Sequence, residues 1–549
     1  MKKTLALILV LCMLLALCAC GGTGANEAAS EDDAADTGIV VKDVGEAESA
    51  EEESESAEEV VEEVVLADHK SDETLRLILP AEPTALTLQG AAGGAQVLMW
   101  TLMYDTLFRY DYATNSVVPC IAKSMEWIDE THVRFTLRDD VVAYNGDTIK
   151  ASDVLFTISC GVNGPKAAAF VYFDLDESYV EDDYNVVLAL KQPRASVDAL
   201  VCANHFGIIS ESAVEEIGGF EAATQQAFAN TGMYNLVEWV VGDHILLERN
   251  ENFWDDTRVA YFKNVEITWV SDANTRAMAI ISGDADLTIE LSTSQAESIA
   301  NDANTAVEIY NKPVAQSAWI NCSRAPFDDV RVREAMYLLI DSDAICNNAL
   351  GGYVEACDTA IASSSPYYTK PDFTREVNVD RAKELLAEAG YAEGFEMTLS
   401  CRANFDAVAQ IIQDGLKQGG ITCKIDIVEA STETTLGVSG DFDMLITQTQ
   451  CYDIYVVADR FDGRMTTAEA NGGAQYNNDE CNALIDTCRN ALDTESRVEA
   501  FAQLGQYAID NYLCIGLYND ITVCAHSNAL GGGGLTMDGY FDVSSVYLK

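Results

Sequence analysis

Sixteen cysteines and five histidines are the side chains of this 549-residue chain best suited to nucleophilic or metal chemistry, and their spacing argues against both. Three cysteines stand at or before Cys20; the other thirteen are scattered from Cys120 to Cys524 with no CxxC unit. His69, His132, His205, His244 and His526 include no i, i+4 pair, so the close ligand spacing of a zinc site is missing. Thirteen thiols cannot all pair with one another. They read as small buried residues of a chain made where oxygen is scarce, with some disulfides left open. There is no phosphate-binding P-loop, nucleophile elbow, HExxH helix or GxGxxG turn. The four glycines at 531–534 lack a strand before and a helix after, and read as a loop. Acid pairs such as Asp139-Asp140 and Asp182-Asp183 are sequence neighbours that read as solvated surface. No catalytic residue, metal site or cofactor is therefore expected, and the chain reads as a binder rather than an enzyme.

Cys20 is the exception, because of what precedes it. Lys2 and Lys3 are followed by an almost unbroken apolar run over 5–17, which closes on Leu17-Cys18-Ala19-Cys20-Gly21. A charged start, a short apolar run and small residues ahead of a cysteine read as an export signal over 1–19, not a spanning helix. The ending resembles a bacterial lipobox, which implies cleavage before Cys20 and lipidation of that residue. The mature protein is then expected on the outer face of the cytoplasmic membrane, held by its anchor. Residues 20–74 are rich in Glu, Asp, Ala, Ser and Gly and hold no aromatic residue. Such a segment buries too little apolar surface to offset its ordering entropy, and reads as a disordered acidic spacer.

Charge narrows the partners. Against 33 Lys and Arg stand 89 Asp and Glu, a formal net charge of −56 with a pI near 4.1. Nucleic acid and anionic lipid surfaces are disfavoured. Hydrophobic residues make up 48% of the chain, enough for a sizeable core from residue 75 onward in two or three domains.

The folded part alternates short strands with helices, which predicts a mixed α/β chain. Leu75, Leu77 and Leu79 share one strand face, closed by Pro80, which cannot donate to a ladder. Val133, Phe135 and Leu137 alternate with polar neighbours in a half-buried strand. Val241-Gly242-Asp243 reads as a hairpin turn. Val332, Ala335, Met336, Leu339 and Ile340 recur at helical spacing. Asp380 is expected to cap a helix whose stripe is Ala382, Leu385, Leu386 and Ala389, with Gly390 ending it. A further helix is expected over 495–509.

Seven stretches in order resemble the extracellular solute-binding proteins of family 5, the peptide and nickel type that serve ABC importers. They are Tyr104-Asp-Thr-Leu-Phe-Arg-Tyr-Asp111; Ile121 to Trp127 with Phe135-Thr-Leu-Arg138, Asn145-Gly-Asp147 and Ala151-Ser-Asp-Val154; and Thr231 to Trp239 with Phe253-Trp254. Ser282-Gly-Asp-Ala-Asp286, Ala325 to Ala335, Ala382 to Tyr391 and Leu513 to Tyr518 complete the series. The resemblance implies a two-lobe periplasmic-binding-protein clamshell with an extra inserted domain. Domain I would be 75–107 plus 207–303 plus 524–549, domain II 108–206 and domain III 304–523. It also implies a monomeric protein without cofactor, capturing a peptide or other small solute and delivering it to ABC permease subunits.

Peptide-binding members place an aspartate just after a strand that ends near a Trp, where it meets the ligand's α-ammonium. The matching stretch here runs over 440–453 and makes Asp453 the anchor, with Thr449, Gln450, Cys451 and Tyr452 alongside it. The strand backbone would take the ligand as an added strand. Thr449 or Gln450 stands where Trp is usual, no arginine lies in this stretch, and Asp453 reads equally as a plain loop acid. A short glycan, a nickel chelate or haem stays open as ligand. Trp319, Tyr452 and Tyr455 would be the aromatic platforms for a glycan. Surface sensing rather than transport stays open too.

Overall fold

The computed structural model describes residues 39–42, 70–87, 94–111, 116–164, 170–194, 197–203, 206–224, 230–258, 260–451, 455–464, 473–491, 494–536 and 539–549. Among the described residues, regular structure begins with β1 (Ile39–Lys42), inside the segment read as a disordered spacer. At these four residues that reading gives way, because they pair in parallel with a later strand. Next comes β2 (Thr74–Leu79), whose Leu75, Leu77 and Leu79 are buried as their alternation requires.

β3 (Phe108–Asp111) and β4 (Ser116–Pro119) form a small ribbon. β5 (Ala122–Trp127), β6 (His132–Leu137), β7 (Phe173–Asp182) and β8 (Asn185–Leu190) make an antiparallel sheet of order β5-β6-β8-β7. Val133, Phe135 and Leu137 line its inner face with residues of α1 (Ala151–Asn163) and of the short α2 (Val197–Leu200), in a core separate from the others. β9 (Tyr234–Val240) and β10 (His244–Arg249) are a hairpin. Its turn uses Gly242 at φ +81°, a backbone conformation that suits glycine. β11 (Asn264–Trp269) and β12 (Leu287–Thr288) follow.

The second half of the chain contributes β13 (Thr305–Ile320), α3 (Val330–Tyr337), α4 (Val379–Glu388), β14 (Glu396–Cys401) and α5 (Asp406–Gln418). β15 (Thr422–Ile427), β16 (Met444–Gln450), α6 (Tyr455–Phe461), α7 (Asp479–Asn490), α8 (Thr494–Asp510) and β17 (Cys514–Ser527) come after them. The cap of α4 is Asn378, whose side chain accepts from the Arg381 amide; Asp380 sits two residues further in, in the first turn. The expected Asp380 cap was two residues late. Both types serve, but the chain turns at Asn378.

One sheet ties the halves together, in the order β15-β14-β16-β13-β17-β12-β2-β11-β10-β9, with β1 on β13. β13 and β17, 16 and 14 residues long, are the only members that run through both halves of that order among the described residues. Cores lie on either side of this crossing. One is built on β2 and β9 to β11, and two more cover opposite faces of the β16-β13-β17 half.

Candidate functional site

The long ladder between β13 and β17 breaks at one place. Asn311 faces Ile521, but the next pair is Ala315 with Asn519, so residues 312–314 stand against Asp520 alone. The extra residues make a bulge. Pro313 lies in it, where a missing N–H costs no ladder bond. Lys312 Nζ meets Asp520 across the break at 3.0 Å. Two other segments converge on it. The Cys451 N–H donates to the Pro313 carbonyl at 2.7 Å, the Ser364 hydroxyl to the Lys312 carbonyl at 2.7 Å, and the Ser363 N–H to Asn519 Oδ1 at 3.0 Å.

β16 therefore ends where the two halves of the sheet bend. On one side it pairs with β13 from Met444 to Gln450; on the other β14 covers only Met444 and Leu445. Backbone polar groups alternate sides along a strand. Since the Cys451 N–H faces β13, those of Gln448 and Gln450 face the edge that β14 leaves uncovered. Arg460 Nη2 takes the Gln448 carbonyl there at 2.7 Å.

Of the residues picked out by sequence, Thr449 is fully buried and its hydroxyl has no hydrogen-bond partner among the described residues. Gln450 is half-buried at the open edge. Cys451 is fully buried. Its sulfur accepts from the Ala362 N–H at 3.3 Å and its carbonyl from Ser365 Oγ at 3.1 Å. Burial pushes this thiol up to about 11, so it is neutral at physiological pH and not a nucleophile. Trp319 is fully buried on β13, its ring 5.1 Å from that of Phe461 and 5.7 Å from the Arg460 guanidinium. Tyr455 is buried at the start of α6. Asp453, Tyr452 and the lipidation candidate Cys20 lie outside the described residues. All thirteen cysteines from Cys120 onward are described and buried.

Sequence reasoning missed the arginines. Burial lowers the Arg460 guanidinium to about 10, which leaves it protonated beside the strand edge. Arg194 is 2% exposed, its guanidinium 3.5 Å above the Tyr172 ring and 5.2 Å from the Tyr455 ring. Arg497 is 4% exposed, 3.3 Å from the Tyr367 hydroxyl and 3.9 Å from Asp198. A single arginine after a proline, as in Pro193-Arg194, carries no periodic signal, because its ring partners Tyr172 and Tyr455 come from separate stretches of the chain. Beneath the site, Arg489 joins Asp459 of α6 at 2.6 Å and Asp462 at 2.8 Å, with both acids buried; Arg464 also holds Asp462, at 2.8 Å. This clamp fixes α6 against α7. Among the described residues, the arrangement offers a strand edge whose Gln448 and Gln450 N–H groups have no β14 partner, beside buried cations and aromatic rings. Such an arrangement can pair with an extended backbone and meet negative charge.

A two-half sheet joined by crossing strands, with a recognition edge beside the bend, defines a hinged solute-binding protein. The chain belongs to the bacterial extracellular solute-binding proteins of family 5, whose model for the middle region matches residues 116–455. It is 29% identical over 270 residues to the glutathione-binding protein GsiB of Salmonella paratyphi A, covering 47% of this chain and 50% of that one. The chain thus spans about half the length of the curated relatives it matches. Its fold is that of HbpA2 from Haemophilus parasuis, at TM-score 0.75 and 19% identity over 87% of this chain and all of that one. It is likewise that of DppA from Helicobacter pylori in complex with the peptide STSA, at TM-score 0.70 and 20% identity over 87% and 98%.

Proposed function

We propose that this chain is the substrate-binding lipoprotein of an ABC importer, anchored through Cys20 outside the cytoplasmic membrane, capturing short peptides by lobe closure and releasing them unaltered to a permease. The observation that carries the reading is the β16 edge at Gln448 and Gln450, set beside the bulge at 312–314. An extended peptide added to that edge gains main-chain hydrogen bonds whatever its sequence, and the bulge is where the crossing strands bend. The names of relatives support peptide-like ligands: glutathione for GsiB, and the peptide STSA and the dipeptide Met-Leu in solved neighbours. In this reading 75–107, 207–303 and 524–549 form domain I, 108–206 domain II and 304–523 domain III, the protein acts as a monomer, and Asp453 meets the ligand's ammonium.

A thermal-shift screen of the mature chain with di- to hexapeptides and glutathione tests it. A ligand at about 100 times Kd adds about 2.7 kcal/mol to stability, a readable shift. Asp453→Asn is expected to cost about 2–5 kcal/mol of binding, because the ligand's ammonium is left buried without its carboxylate. Absence of any shift across the panel, with shifts on short glycans or metal chelates, sinks the peptide reading. Recovery of cleaved peptide sinks the non-enzyme reading.

A further inference from the structure

We propose that Arg194 and Asp198 on one lobe, with Tyr455 and Arg497 on the other, form a latch across the cleft that sets the closed population and hence solute affinity. The proposal rests on the lobe-closure reading. The two sides of the contact belong to different cores: Tyr172, Val197 and Leu200 pack in the core of the four-stranded sheet, whereas Tyr455, Phe501 and Leu504 pack in that beneath β16. Among the described residues, the two cores hold no side chain in common. Two polar contacts span them: the Arg194 guanidinium against the rings of Tyr172 and Tyr455, and the Asp198–Arg497 ion pair. A permanent junction is built on shared apolar burial, whereas groups that regain water on parting suit a contact that opens and closes.

The geometry also gives the contact a preference between states. Arg194 keeps its 3.5 Å stack on Tyr172 when the lobes part, because both sit on one lobe, but loses Tyr455. Asp198 and Arg497 stand 3.9 Å apart, beyond hydrogen-bond length, so slight further closure converts an ion pair into a charge-assisted hydrogen bond. Only contacts that differ between open and closed states shift that balance. Because apparent affinity scales with the fraction of closing-competent molecules, weakening the latch weakens binding without touching the ligand.

The test compares the mature wild type with Asp198→Asn, Arg194→Ala and Arg194→Lys. Small-angle scattering of the ligand-free proteins is expected to show a larger radius of gyration for Asp198→Asn and Arg194→Ala, and for wild type in high salt. Arg194→Lys keeps the charge but not the planar stack, and is expected to fall between. Peptide affinity should drop about 3- to 30-fold, mostly through a faster off-rate, in the same order. Asp198 is partly exposed and Asn is its near-isostere, so this variant stays folded if Arg194→Ala does not. An unchanged ligand-free radius and off-rate in Asp198→Asn overturns the latch. If the peptide panel gives no binding to wild type, the peptide reading fails while the ligand-free scattering still decides the latch.

Discussion

On one face of the β16-β13-β17 sheet, Ala318, Ile320, Met444, Ile446, Ile515 and Leu517 meet the stripes of α3, α4 and α5 in a core that also holds the thiols of Cys346, Cys401 and Cys423. On the other face Ala315, Trp319, Cys451 and Cys514 meet α6, α7 and α8 in a core that holds six thiols and adjoins the Arg489 clamp. The strands are the same; their alternation sends one set of side chains to each face. The first face is mainly scaffold, although burial raises its three thiols too. The second buries twice as many thiols and adjoins buried ion pairs, next to the edge where a solute would pair. Stability on that face is therefore tied more strongly to pH and to intact charge partners, while the scaffold face depends more on volume.

The largest expected effect comes from the thiols. Burial pushes Cys322, Cys481, Cys488 and Cys514 up to about 12 and Cys451 to about 11, and raises Cys357 as well. An unfolded chain releases such protons above about pH 8.5, while the folded chain retains them. Their stabilising contribution is full below that pH and is lost as pH rises toward and through the folded values. Each thiol then removes about 1.4 kcal/mol per pH unit, so six together exceed an ordinary domain's 5–15 kcal/mol within about two units. Urea unfolding of the reduced protein is expected to show a falling midpoint above pH 8.5 and no stable fold by about pH 10.5. A midpoint equal at pH 8 and pH 10 would show that these thiols are not held from water.

Next in size is the clamp. Arg489→Met leaves Asp459 and Asp462, each about 1% exposed at the side chain, without their shared cation. Breaking a buried pair from one side costs about 3–5 kcal/mol. The variant should lose that much by urea denaturation, and with it any solute binding, since α6 carries Tyr455. On the scaffold face, Ile446→Val removes one methylene and should cost about 0.5–1.5 kcal/mol, with solute affinity within about two-fold of wild type. If Ile446→Val damaged affinity more than Arg489→Met did, the division of labour between the faces would be wrong.

These faces were unequally legible in the sequence. The helical stripes through Val332, Ala335 and Met336 and through Ala382, Leu385 and Leu386, and the alternation of Val133, Phe135 and Leu137, are local periodicities and landed where expected, whereas Leu339, Ile340 and Ala389 fall just past the ends of α3 and α4. The family's aspartate-bearing stretch, matched at 440–453, marked the strand that ends at Gln450. The arginines that converge on the site were invisible, because Arg194, Arg460 and Arg497 gain their meaning from rings and carboxylates brought in by sheet topology. The cap at Asn378 was missed by two residues because Asn and Asp both cap helices, and composition alone cannot say where the chain turns. β1 was missed for a related reason. Ile39-Val40-Val41-Lys42 is a short β-favouring run inside an acidic segment whose average composition argues against order.

That strand yields the smallest effect and the sharpest test of how the sheet edge is managed. β13 pairs with β16 only from Val314 onward, so at Val307 to Tyr310 one edge would be bare. β1 covers it in parallel register, Ile39 with Val307 through Lys42 with Tyr310. A bare edge invites pairing with another chain, and covering it from the same chain removes that hazard. The double variant Val40→Pro with Val41→Pro removes two adjacent N–H groups, one of which points at β13 because they alternate along the strand, so its cost should be that of a single hydrogen bond, about 0.5–1.5 kcal/mol. A melting-point drop of a few degrees is expected. Amide exchange should quicken at Val307 to Tyr310 and stay unchanged at Val314 to Ile320, which β16 continues to cover. Solute affinity should not move, because the open edge of β16 is untouched. Equal exchange at Val307 to Tyr310 in variant and wild type would mean that the edge is protected by something other than β1.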